Sequence, residues 1–72
     1  MTELDLRGLR CPLPALHTAR RLSSLAPGER LTVLADDPLA TIDIAHLCHQ
    51  DGHTLAETVE TTGAWRFVIV AG

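Results

Sequence analysis

The spacing of apolar and polar positions divides the chain into six segments. Glu3-Leu4-Asp5-Leu6 alternates polar and apolar residues, the mark of a half-buried strand. From Pro12 to about Leu25 the period changes to that of a helix. Ala15, Ala19, Leu22 and Ala26 share one stripe with Leu16 at its edge, while Leu13, His17 and Arg20 point the other way. Pro27-Gly28 ends that helix. Glu29 to Ala35 reads as a second strand, its later part rich in residues suited to a buried sheet. Asp36-Asp37-Pro38 then opens a second helix, with Asp37 capping and Pro38 at the first helical position. This helix runs to about Gln50 with Ala40, Ile44, Leu47 and Cys48 inward, and Asp51-Gly52 closes it. His53 to Glu60 and Ala64 to Val70 read as two strands joined in a hairpin by Thr61-Thr62-Gly63.

The order β-α-β-α-β-β predicts an α/β fold, a two-layer sandwich. Right-handed crossovers put two helices on one face of a mixed four-stranded sheet. The other face is left largely open, with Leu34, Val68 and Val70 on it. Residues 1–72 are expected to form a single domain, too small for a second core or an enclosed substrate cavity. At 46% apolar residues the chain has the composition of a folded protein. No basic segment leads into an apolar run, and the longest apolar run, Phe67 to Ala71, is far too short to span a bilayer. Two cysteines are too few to staple a secreted scaffold and fit a reducing compartment. The expectation is a soluble cytoplasmic protein with no membrane partner.

One stretch carries chemistry. Gly8-Leu9-Arg10-Cys11-Pro12-Leu13-Pro14 sets a cysteine between a turn and two prolines that suit the opening of a helix. The spacing predicts Cys11 at the N-cap, Pro12 at the first helical position and Pro14 at the third. Free amides and the positive helix end favour negative charge at a cap, so a thiol there is expected to ionise readily, with Arg10 assisting. The prolines remove two donors, which leaves the Leu13 amide as the one to reach the sulfur. Against this, Leu13 precedes a proline, a position that disfavours helical backbone.

Charge sharpens the picture. The net charge is −3 and there is no lysine, which argues against general nucleic-acid binding. Residues 1–25 nevertheless hold Arg7, Arg10, Arg20 and Arg21 against only Glu3 and Asp5. The cysteine end is therefore expected to be electropositive, with Arg7, Arg10, Leu13 and Arg20 as candidate partner contacts.

Other chemistries fit less well. His46, Cys48, His49 and His53 are potential metal ligands, but Cys48 points about 100° away from His49 on a helix and His53 lies beyond Gly52, so no metal is expected. Cys48 reads as core. A Cys11–Cys48 redox pair lacks the close spacing of a thioredoxin-like motif. His17, more than a turn from Cys11, makes a poor base for protease-type catalysis. Trp65 and Phe67 alternate within a strand and read as core rather than as a base-stacking platform. A non-catalytic regulatory module using the open sheet face, and an RNA-binding domain, stand as alternatives from other functional classes.

Over almost its whole length the sequence resembles the TusA family of small sulfur-carrier proteins (the TusA/SirA/YeeD group). The resemblance rests on Leu6-Arg7-Gly8-Leu9-Arg10-Cys11-Pro12-Leu13-Pro14 and on Pro27-Gly28-Glu29. It continues through Ala35-Asp36-Asp37-Pro38, Asp43-Ile44 and Gly52-His53-Thr54-Leu55. It implies a two-layer α/β fold, a cytoplasmic role, and a sulfurtransferase in which Cys11 accepts sulfane sulfur as a persulfide. The implied donor is a cysteine desulfurase or similar protein, and the implied acceptor is another protein's cysteine. The pathways implied are 2-thiouridine formation in tRNA, sulfur oxidation or molybdenum-cofactor synthesis. Pyridoxal phosphate would belong to the donor, so no cofactor is expected here. Thiol exchange needs an ionised, accessible sulfur, which agrees with the reading of the residues themselves.

Overall fold

A computed structural model describes residues 2–72. Its elements are β1 (Thr2–Asp5), α1 (Leu13–Leu22), β2 (Arg30–Ala35), α2 (Ala40–Asp51), β3 (Thr54–Thr61) and β4 (Ala64–Val70). The four strands form one sheet in the order β1-β2-β4-β3. β1 runs parallel to β2, whereas β4 is antiparallel to both β2 and β3. The mixed sheet and two helices match the expected architecture.

Alternation along the strands assigns the two faces. Leu31, Val33 and Ala35 of β2 and Phe67 and Ile69 of β4 are buried together with Leu22 of α1 and Ala40, Ile44 and Cys48 of α2. This is the core, and its α2 contribution is the predicted one. On the opposite face Leu34 and Val70 are half-buried as expected, but Val68 is only 5% exposed. Val68 pairs with Thr32 on one side and Glu57 on the other, so the middle of this face is more closed than the pattern predicts.

The largest departures lie in α1. Of the predicted stripe Leu22 is buried, but Ala15 and Ala19 are half-buried and Ala26, like Leu16 at the stripe's edge, is exposed; Pro14 and Thr18 take the other buried positions. A proline ring is apolar enough to be buried, and the Thr18 hydroxyl reaches the core because it donates to the Pro14 carbonyl at 2.7 Å. The helix also stops at Leu22, well before Pro27. Ser23 and Ser24 turn their hydroxyls back onto the carbonyls of Arg20 and Arg21, which gives those carbonyls partners outside the helix. Pro27-Gly28 instead makes the turn that joins β2 to the end of β4, through Gly28 N–H to the Ala71 carbonyl and Ala71 N–H to the Glu29 carbonyl, both 2.8 Å.

The end of α2 behaves as predicted. Gly52 adopts φ 80°, a left-handed angle that costs a glycine little, and its N–H caps the Cys48 carbonyl. Because Thr18 is fully buried with its hydroxyl paired, Thr18→Val is expected to cost about 1 kcal/mol. For a domain of this size that lowers the thermal midpoint by about 4–8 °C, which calorimetry or circular dichroism would measure.

Candidate functional site

The loop between β1 and α1 is fixed from both ends. Leu6 is buried and extends the parallel pairing by one bond, its N–H meeting the Leu34 carbonyl at 2.8 Å. Leu9 packs against the core, and its N–H bonds the Leu6 carbonyl at 3.2 Å. The turn between them needs a residue at φ 90°, which Gly8 supplies. Beyond Leu9 the Leu13 N–H bonds the Arg10 carbonyl at 2.8 Å, closing a turn around Cys11 and Pro12, whose peptide bond is cis.

Two successive aspartates hold this loop from the next turn of the fold. Asp36 Oδ1 accepts the Gly8 N–H at 2.9 Å and an Arg10 guanidinium N–H at 3.0 Å. Asp37 Oδ2 accepts the Cys11 N–H at 2.6 Å, while its Oδ1 accepts the Leu39 N–H at 3.0 Å. The predicted capping role of Asp37 is thus only half of its work: the same carboxylate serves the approach to α2 and the backbone of the cysteine. The helix itself begins at Ala40, two residues after Pro38. Sequence reasoning missed the reach of these aspartates. The signal was the parallel pairing of β1 and β2, because adjacent parallel strands bring the loops at their carboxyl ends together.

The thiol sits one residue earlier than expected. The first intrahelical bond runs from Leu16 N–H to the Pro12 carbonyl at 3.1 Å, so Pro12 is the cap residue, Leu13 begins α1 and Pro14 lies in its first turn. The Leu13 amide, expected at the sulfur, is used by the Arg10 carbonyl. Cys11 is exposed.

Its acidity also departs from expectation. The Asp43 carboxylate, in the first turn of α2, favours the protonated thiol and pushes its pKa up, with partial desolvation and the charge of Asp37 adding to the rise. Arg10 does not offset this, because its guanidinium is engaged by Asp36 and the Leu9 carbonyl. The surroundings of the thiol are therefore acidic, where the distribution of charge along the chain predicts positive.

Both aspartates are held below the usual carboxylate range: Asp36 chiefly by the Gly8 N–H, and Asp37 by the Cys11 and Leu39 N–H groups. A depressed native pKa stabilises the fold above the unfolded value, and that stabilisation is lost as pH falls through the lower native value. Thermal midpoints are expected to fall below about pH 4, and Asp37→Asn should show a lower plateau with a flatter acid limb.

The other predicted contacts are spread from the cysteine loop to the last turn of α1. Arg7 forms a bidentate pair with Asp5 at 2.9 and 2.7 Å, which lowers Asp5 to about 2. Leu13 and Arg20 are exposed, and Arg20 lines a shallow groove of about 310 Å³ with Leu4, His17, Arg21 and Ser24. Cys48 is buried, with its pKa raised by desolvation, while His53 Nδ1 accepts the Gly72 N–H at 3.0 Å. Among the described residues no three histidine, cysteine or acidic side chains gather as a metal site, and no helix is long and apolar enough to cross a membrane.

The sequence profile of the family described as Sulfurtransferase TusA matches residues 2–71. The chain belongs to the TusA family. Two Neisseria meningitidis proteins named provisionally as sulfur carrier proteins, one from serogroup A and one from serogroup B, are each 41% identical to it over 66 residues. Each match covers 92% of this chain and 89% of the relative. The crystal structure of a SirA-like protein from Desulfitobacterium hafniense superposes with a TM-score of 0.89 at 28% identity, covering 100% of this chain and 99% of that one. The TusA assignment fits a protein whose exposed thiol stands at a loop–helix junction without an enclosing pocket.

Proposed function

We propose that this chain is a sulfur carrier whose Cys11 accepts a sulfane sulfur from a donor protein and hands it to an acceptor protein's cysteine. The observation that carries this reading is the exposed Cys11 thiol, on a backbone anchored by Asp37. Supporting roles fall to Pro12 and Pro14, which shape the start of α1, and to Arg10, which ties the loop to Asp36. Arg7 and Leu13, near the thiol, and Arg20, in the last turn of α1, are the proposed partner contacts.

The transfer is an exchange of sulfur between thiols. The Cys11 sulfur attacks the terminal sulfur of a donor cysteine persulfide, R–S–S⁻. A new S–S bond forms at Cys11 while the donor's S–S bond breaks, and its electron pair goes to the departing donor sulfur. The proton released by Cys11 ends on that sulfur, so R–S–S⁻ plus Cys11–SH gives R–SH plus Cys11–S–S⁻ with no net oxidation. Handover to the acceptor repeats the exchange in the other direction. The raised pKa of the empty thiol keeps it mostly protonated, which limits stray reactions between encounters. A persulfide is intrinsically more acidic and places its terminal sulfur one bond farther from Asp43, so the loaded form is the better ionised one.

The donor fitting this chemistry is a cysteine desulfurase or a similar persulfide-bearing protein, working in the cytoplasm, and any pyridoxal phosphate belongs to that donor. The chemistry at Cys11 is the same whether the sulfur goes on to tRNA thiolation, sulfur oxidation or molybdenum-cofactor synthesis. The test is the intact mass after incubation with a cysteine desulfurase and cysteine: a gain of one reductant-sensitive sulfur atom supports the reading, and an unchanged mass removes it.

A further inference from the structure

We infer that Leu39 and Ile42, at the start of α2, form half of an apolar docking surface for the cysteine-bearing protein that loads Cys11. The inference rests on the carrier reading and extends it to a part of the chain that no motif marks. The large apolar side chains left exposed among the described residues are Leu13 (42%), Leu16 (56%), Leu39 (52%) and Ile42 (65%). Scattered exposed leucines are ordinary. These four are not scattered: all lie at the starts of α1 and α2, and none lies on the sheet or toward the far ends of the helices.

Cys11 lies between the two pairs. It immediately precedes the cap of α1, and its N–H shares the Asp37 carboxylate with the Leu39 N–H. Asp43, the neighbour of Ile42, is the carboxylate that acts most on its thiol. Leu39 and Ile42 are three residues apart and so adjacent on the helix surface, as are Leu13 and Leu16. The thiol is thus flanked by an apolar pad on each helix.

Sulfur exchange identifies what covers this patch. The two reacting sulfurs must touch, so the donor's surface lies against everything around Cys11 in the transfer complex. A stable interface of about 800 Å² per partner has a radius of about 16 Å, enough to take in the first turns of both helices. Interface centres favour apolar side chains and exclude water, and two such pads around a nucleophile provide that centre. The matching donor surface is an apolar rim around a protruding cysteine. Arg10, held by Asp36, sits at the edge of this patch.

The test compares wild type with Leu39→Gln/Ile42→Gln, neutral changes at exposed positions that leave the charges around the thiol untouched. With a cysteine desulfurase and cysteine, the variant is expected to load sulfur about tenfold more slowly at limiting carrier, through a higher KM. Loading from inorganic polysulfide, which needs no protein contact, should stay within about twofold of wild type, and circular dichroism should report an unchanged fold. Equal desulfurase-dependent rates would overturn the inference, as would an equal loss with polysulfide, because that marks a disturbed thiol rather than a lost contact. A shift from dimer to monomer in sedimentation with unchanged loading would assign the patch to a second copy of the chain and overturn it too. Failure of wild type itself to load from either source would withdraw the carrier reading and this surface with it.

Discussion

Cys11→Ala is expected to take up no sulfur at all, whereas Cys48→Ala loads like wild type. The two cysteines differ in what a sulfur donor can reach. Cys11 is exposed on an anchored loop, and Cys48 is 2% exposed inside the core with its thiol pKa raised by burial. A protein-borne persulfide cannot approach Cys48 without unfolding α2, so Cys48 offers no second site. Intact mass with and without reductant reads the result directly. Because Cys48→Ala removes only a small buried group, its effect should be a lower thermal midpoint with full loading. Equal labelling of Cys11→Ala and wild type would end the assignment of Cys11 as carrier.

The second large effect is expected at Asp43. Its carboxylate is the leading cause of the raised Cys11 pKa. Asp43→Asn keeps the shape and removes the charge, so the thiol pKa should fall. Below the pKa, each unit of decrease raises the thiolate fraction about tenfold, while the lower basicity takes back part of the gain through a Brønsted slope of about 0.4–0.5. The net expectation is about threefold faster alkylation by iodoacetamide at neutral pH for each unit of pKa lost. The pH–rate profile should shift to lower pH by the same amount. An unchanged profile would show that Asp43 does not govern the thiol in solution.

The order of elements was legible because most segments announce themselves by period: alternation in β1, β-branched residues in β2, a left-handed glycine after α2. The phase of α1 was not. Pro14 and Thr18 count as polar or disruptive in a hydrophobic pattern, yet the Thr18 hydroxyl is satisfied inside its own helix, so both residues face the core. At the site, Gly8, Cys11 and the two prolines were readable because they act on their immediate neighbours. The aspartates were not, because Asp36 and Asp37 reach Arg10 and Cys11 across 26 residues of sequence. The acidity of the thiol was misread for the same reason. Reasoning along the chain counts Arg10 beside Cys11, whereas folding brings Asp43 across from α2 and turns Arg10 toward Asp36.

The Asp37 side chain works as a shared pin, with one oxygen in each of two helix entrances. The two entrances are thus tied to each other through a single carboxylate. A protein leaning on Leu39 therefore also leans on the peptide that carries the sulfur. A change at position 37 therefore reaches both entrances at once, whereas side-chain changes at 11 or 39 leave the two backbone donors in place.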